Sequence, residues 1–259
     1  MTAQPDAPAI SLWCAFPDRI RDPALLSKYG RLLSEAEAVQ GARFYFAADR
    51  HRYLVTRALV RTVLARYAAV APDRLQFEPN AYGRPELAPG RYAGRRISFN
   101  VSHTAELVVL GVSLDRQIGV DVENTAQARD TMSVARHVLC PWEYADLYAL
   151  PETQRHRRFF QYWTLKEAYV KARGMGLSIP LDHFGFRFQA GGTVDMVDSP
   201  ALRDIAARWR FWQLSPAPGY IAAVCAERAA DSFQPPALRY ITPLVDECAM
   251  DISMLCASN

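Results

Sequence analysis

Two long helix-period stretches, each followed by a run of short strand-period segments, limit what this chain can fold into. In residues 49–69, apolar Val55, Leu59, Val63 and Leu64 recur at helical spacing, while Arg50, Arg57 and Arg61 mark a separate stripe that reads as a solvated face. Residues 151–173 form the second such stretch, stopped by Gly174 and Gly176. A strand over 10–16 and helical patterning over 23–46 precede the first long helix. After it come a short strand over 75–77, a turn at Asn80-Ala81-Tyr82-Gly83-Arg84-Pro85, and strands over 97–101, 106–114 and 117–123. The second half has a helix over 141–150 before its long helix and strands over 184–188, 193–196, 209–214 and 220–226 after it. The expectation is an α+β protein of two pseudo-duplicated halves, each a long helix packed on a small, mainly antiparallel sheet. The halves are residues 1–115 and 116–228, with a tail over 229–259 that packs on the surface or frays.

With 259 residues, half of them apolar, the chain has material for a real core, and its net charge of +3 is too small to announce a nucleic-acid binder. An arginine-stripe nucleic-acid module and a non-catalytic binding protein are weaker readings than an enzyme of anionic ligands. Five scattered cysteines without a CxxC pair argue against a disulfide framework and a structural zinc site. Met1 to Pro8 lacks the basic start of a secretory signal, and the longest apolar run, residues 107–114, is too short to span a bilayer. A cytoplasmic protein with no membrane partner is expected.

Of the 30 basic residues only three are lysine, and two of these, Lys166 and Lys171, flank Glu167 in Trp163-Thr164-Leu165-Lys166-Glu167-Ala168-Tyr169-Val170-Lys171. Lysine offers a compact point charge suited to a phosphate oxygen. Glu167 and Lys171 are four apart and share a helix face; a surface ion pair there would contribute only about 0.2–0.5 kcal/mol. The large apolar neighbours argue instead for a mostly buried helix, where such groups need a reason to be.

In Ile118-Gly119-Val120-Asp121-Val122-Glu123, strand alternation puts Asp121 and Glu123 on one face. Alone, this reads first as a solvated acidic face. With Glu167 as a third carboxylate, the alternative is a hard divalent cation held by oxygen ligands. His103, ending Phe99-Asn100-Val101-Ser102-His103-Thr104, suits a hydrogen-bonded structural role and a phosphate contact equally.

Taken together, Gly83-Arg84-Pro85, Phe99-Asn100-Val101-Ser102-His103, Gly119-Val120-Asp121-Val122-Glu123 and Trp163-x-x-Lys166-Glu167-Ala168-Tyr169-x-Lys171 resemble, in order and spacing, the 4′-phosphopantetheinyl transferases of the Sfp-type, two-half class. Similarity runs from about Arg43 to Ala226. The resemblance implies transfer of the 4′-phosphopantetheine arm of coenzyme A, the co-substrate, to a serine of an apo acyl or peptidyl carrier protein, with release of adenosine 3′,5′-bisphosphate. It implies Mg²⁺ held by Asp121 and Glu123, with Glu167 as a third or water-bridged ligand and as general base. Lys171 would contact the diphosphate, Ser102 and His103 phosphate groups of coenzyme A, and Arg84 the nucleotide end. Two departures stand out: Glu37 and Gln40 replace basic residues common in relatives, and Tyr53 follows His51-Arg52. The 3′-phosphate is then left to Arg43, Arg52 and Arg57. Residues 125–136 correspond to the region that receives the carrier, with Arg129 and Arg136 as contacts. A monomer is expected, because two fused halves complete the cleft.

Overall fold

Strand-period alternation sorts the apolar residues of this chain onto three separate cores. In chain order the elements are β1 (Ile10–Ala15), α1 (Pro23–Gly30), α2 (Glu35–Ala42), α3 (Ala47–Ala68), β2 (Phe77–Pro79), β3 (Pro85–Leu87), β4 (Ile97–His103), β5 (Val108–Leu114) and β6 (Ile118–Asn124). Then follow α4 (Thr131–Val138), α5 (Pro141–Ala149), α6 (Glu152–Arg173), β7 (Phe184–Gln189), β8 (Thr193–Asp198), β9 (Trp209–Ser215), β10 (Tyr220–Glu227), β11 (Ala237–Thr242), β12 (Asp246–Met250) and β13 (Ser253–Ala257). The computed structural model describes residues 9–92, 94–127, 130–198, 202, 204–229 and 234–258.

The strands form a five-stranded sheet in the order β12-β11-β1-β5-β4, a six-stranded sheet in the order β6-β10-β9-β13-β8-β7, and the small β2–β3 pair. Pairing is antiparallel except for β1 with β11 and β13 with β8. Along β5, Val108, Leu110 and Val112 point into a core with Val55, Leu59 and Val63 of α3, while Val109 points the other way. Along β10, Ile221, Ala223 and Cys225 meet Phe160 and Tyr169 of α6. The alternate residues Ala222 and Val224 join Leu12, Val109, Val120 and Trp212 in a third core between the sheets. The layers are therefore helix, sheet, sheet, helix, one long helix to each half. This is the two-half α+β architecture expected from the sequence.

The tail departs from expectation. Residues of 229–259 build three strands: β11 pairs with β1 (Ser11 opposite Ala237), β12 pairs with β11, and β13 pairs with β9 in the other sheet. The last part of the chain thus stitches the two sheets together rather than fraying. The helical patterning over 23–46 resolves into α1 and α2, because Ser34 starts a new helix by accepting from the Glu37 amide while Glu37 returns a bond to the Ser34 amide. The strand expected over 75–77 lies at Phe77–Pro79, and α4, capped by Asp130, occupies part of the stretch read as a carrier-receiving loop. Arg129 lies outside the described residues.

Of the stripe on α3, Arg50 is exposed as expected, but Arg57 and Arg61 do not form a solvated face. Glu37 pairs with both Arg57 and Arg61; the latter also donates to the carbonyls of Pro72 (2.8 Å) and Leu75 (3.2 Å) and is 1% exposed. These arginines clamp α2 and the residue 72–75 turn onto α3. Their charge depresses the pKa of Glu37 despite the opposing effect of its burial.

Lys166 likewise departs from the phosphate role its type suggested. It is fully buried, 2.8 Å from the equally buried Glu143, and donates to the carbonyls of Leu181 (2.7 Å) and Phe184. Glu143 also accepts from the amides of Cys140 (2.9 Å) and Phe186 (2.8 Å), so the pair ties α5, α6 and β7 together. Burial pushes the Glu143 carboxyl above its ordinary range in spite of these donors. The buried thiols of Cys14 and Cys256 are pushed up to about 12 and that of Cys140 to about 11, all for want of solvation.

Gly119 sets the distance between the second half's long helix and its edge strand. A Cβ there would stand 2.0 Å from the Ala168 carbonyl oxygen and 2.3 Å from the Ala172 nitrogen, so α6 rests its backbone on β6. Two outcomes are expected. Gly119→Ala must lift α6 from β6 at a cost of at least the 1–3 kcal/mol typical of overpacking, read as a lowered urea midpoint. Lys166→Met, which strands the Glu143 carboxyl, should cost about 3–5 kcal/mol by the same measurement.

Candidate active site

The contact at Gly119 determines which side chains meet. Gly119, Asp121 and Glu123 share the face of β6 that looks at α6, since Ile118, Val120 and Val122 point into the core between the sheets. On α6, small Ala168 and Ala172 lie against the glycine. Glu167 and Lys171, each one position before them, flank this contact and come to Asp121 and Glu123. Lys171 Nζ is 2.6 Å from Asp121 Oδ1.

The first half enters through β4. Ser102 Oγ donates to Asp121 Oδ1 (2.9 Å) and accepts from the Val122 amide (3.2 Å) and from Lys171 Nζ (3.1 Å). Two residues earlier, Asn100 Oδ1 accepts from the Val120 amide (2.9 Å). β4 and β6 are edge strands of different sheets, so these side chains stand where backbone carbonyls would pair in a continuous sheet. The polar run Asn100-Val101-Ser102 thus has a structural reason at strand spacing, and Ser102 faces Asp121 and Lys171. Arg84 completes the seam: its guanidinium donates to the carbonyls of Phe99 (2.8 Å), Ile118 (3.1 Å), Lys171 (2.8 Å) and Ala172 (3.3 Å). Its Nη donors are thereby engaged with backbone, whereas the resemblance implied a contact with the nucleotide end for this residue.

The electrostatics are those of crowded acids with one lysine among them. Asp121 is 5% exposed, and its Oδ2 is buried without a hydrogen-bond partner. Glu123 Oε1 accepts from Trp163 Nε1 at 3.1 Å. Burial first, then the charges of Asp121 and Glu123, raise the pKa of Glu167, with Lys171 opposing them. Among the described residues, no three of His, Cys, Asp or Glu already stand as a metal-holding group. The oxygen-only donor set and the orphaned Asp121 Oδ2 nonetheless fit a hard divalent cation, to which Asp121, Glu123 and Glu167 could all contribute.

At the rim, the exposed end of β4 carries His103, close enough to Arg52 and Lys171 for both to act on it. Much of its ring is open to water, yet the adjoining protein still strips part of its solvation, and this together with the two cations lowers its pKa. Arg52 is held by Asp49 at 2.6 Å. Arg52, His103 and Lys171 so form a basic edge beside the carboxylates. Arg57, proposed with Arg43 and Arg52 for a phosphate, is bound to Glu37 instead. Arg43 carries a hydrogen bond to Gln40 (3.4 Å), and Arg136 one to the Tyr144 hydroxyl (3.0 Å).

Sequence reading quoted Asn100, Gly119 and Trp163 within its motifs but gave them no task; each now has one. Glu143 it missed, and the available signal was a glutamate three residues into a helix opened by Pro141.

Comparison with known proteins supplies the last evidence. Residues 23–114 match a family model described as 4′-phosphopantetheinyl transferase, N-terminal, and residues 117–225 match the 4′-phosphopantetheinyl transferase superfamily. The chain is 34% identical over 192 residues to the 4′-phosphopantetheinyl transferase HetI of Nostoc sp., covering 74% of this chain and 77% of that protein. It is 32% identical over 184 residues to the 4′-phosphopantetheinyl transferase Sfp of Bacillus subtilis, covering 71% and 77%. With both halves matched in order and most of each relative's length covered, this chain belongs to the 4′-phosphopantetheinyl transferase superfamily, in its Sfp-type class.

Proposed function

We propose that this chain transfers the 4′-phosphopantetheine arm of coenzyme A to a serine hydroxyl of an apo acyl or peptidyl carrier protein, releasing adenosine 3′,5′-bisphosphate. The observation that carries this reading is the convergence of Asp121, Glu123, Glu167 and Lys171 at the α6–β6 contact, beside the basic edge of Arg52 and His103. Transfer breaks the bond between the β-phosphorus and the oxygen bridging to the α-phosphate, and forms a bond from the serine oxygen to that phosphorus. Negative charge then grows on the bridging oxygen and the departing α-phosphate, where cationic groups are needed.

In this reading Asp121, Glu123 and Glu167 hold Mg²⁺, which when bound supplies positive charge to the diphosphate oxygens. Lys171 adds a cation from the helix side. Ser102 keeps Asp121 and Lys171 aligned through its own hydroxyl. In the same reading Glu167 takes the serine proton, directly or through a cation-bound water, and a bound cation would keep its carboxylate ionised for that role. His103 and Arg52 face the phosphates of coenzyme A. Residues 1–115 provide the nucleotide side and residues 116–228 the cation, the catalytic helix and the carrier side. In this reading the enzyme works as a monomer in the cytoplasm.

The test is incubation with coenzyme A, Mg²⁺ and a panel of apo carriers, reading the carrier's gain of one phosphopantetheine by mass. Asp121→Asn and Glu167→Gln should each lower transfer by about 100-fold or more with the thermal midpoint close to that of the parent, while Lys171→Met should lower transfer similarly and also lower the midpoint, because it leaves the buried Asp121 carboxylate without its partner. Full transfer by Asp121→Asn, or none by the parent protein on any carrier, overturns the proposal.

A further inference from the structure

We propose that Trp163 is a positioning residue for the cation site, acting through Glu123. The inference rests on the reading that Asp121 and Glu123 hold a divalent cation. Trp163 lies one helical turn before Glu167 on α6, and its indole Nε1 donates to Glu123 Oε1 at 3.1 Å. Tryptophan has only this one donor, so the bond engages all of its hydrogen-bonding capacity.

The ring itself is held. It stacks on Phe159, one turn earlier on the same helix, at 6.0 Å between centroids and 16° between planes, and it packs against the core of the second half. Its N–H therefore has a fixed aim. Glu123, by contrast, sits near the end of β6 on a carboxylate with three rotatable bonds, half-buried, next to the like charge of Asp121. A neutral donor is the right device here: it fixes one oxygen without contributing a positive charge that would compete with a cation. Outer partners of this kind typically account for 10–100-fold in metal affinity. The same bond makes Trp163 a local reporter, since a paramagnetic ion held by Glu123 lies close to its indole.

The experiment is a Mn²⁺ titration of the full chain with coenzyme A present and no carrier. Free Mn²⁺ is followed by electron paramagnetic resonance, and tryptophan emission is recorded in parallel. The parent protein, Trp163→Phe and Trp163→His are compared. The first variant keeps an apolar aromatic ring and removes the donor; the second restores an N–H. We expect Kd for Mn²⁺ to rise about tenfold in Trp163→Phe and to recover in part in Trp163→His. Most Mn²⁺-dependent quenching should vanish in Trp163→Phe, although Trp13, Trp142, Trp209 and Trp212 remain. Equal Kd for parent and Trp163→Phe, an equal loss in both variants, or undiminished quenching in Trp163→Phe each overturns the role of Trp163 while leaving the cation reading intact. Absence of Mn²⁺ binding by the parent protein overturns both.

Discussion

Everything at the site depends on a helix lying with its backbone against a strand. Packing at such range is possible only where the strand offers no side chain, and Gly119 is that place. Strand alternation then dictates that Asp121 and Glu123 follow on the same face. Helical periodicity dictates that Glu167 and Lys171 flank the small residues at the contact. Lys171 is thereby brought into contact with Asp121, and Glu167 into the field of Asp121 and Glu123. The surrounding fold keeps Glu167 half-buried, where the charges of two acids act on it.

The second constraint is the seam between the halves. Two sheets that each end on an edge strand at the same place would expose unpaired amides and carbonyls in the middle of the molecule. Asn100 and Ser102 answer two amides of β6, and Arg84 answers carbonyls of β4, β6 and α6. Because Ser102 also touches Asp121 and Lys171, joining the halves and arranging the charges are one task. The halves therefore register against each other to within a hydrogen bond. A site assembled from two domains joined only by a linker would lack that definition.

Much of this was legible in the sequence where the signal is local. The long helices announce themselves by the spacing of Val55, Leu59 and Val63 and by the Gly174 stop, and the acidic face of β6 by simple alternation. What escaped depends on partners distant in sequence. Arg57 and Arg61 look like a solvated stripe until Glu37, on another helix, is brought over them. Lys166 and Lys171 look alike on paper, yet five residues of helix turn them to different sides, one into the core with Glu143 and the other to Asp121. The final strands are short, and every residue of β12 is exposed, so they lack the apolar alternation by which strands are found; β1, the partner of β11, lies at the far end of the chain. Family resemblance pointed to Asp121, Glu123, Glu167 and Lys171 but said nothing of the bonds that hold them.

The pairing of Ser11 with Ala237 carries a consequence for biogenesis. On the ribosome β1 emerges before β5 and pairs with it within the first half, but its other flank has no mate until β11 has been made. For that interval a row of bare peptide groups beside an apolar layer is available to any passing extended segment. Pairing β11 with β1 closes a loop that spans both halves, and until it closes the nascent first half is the species a chaperone must shield.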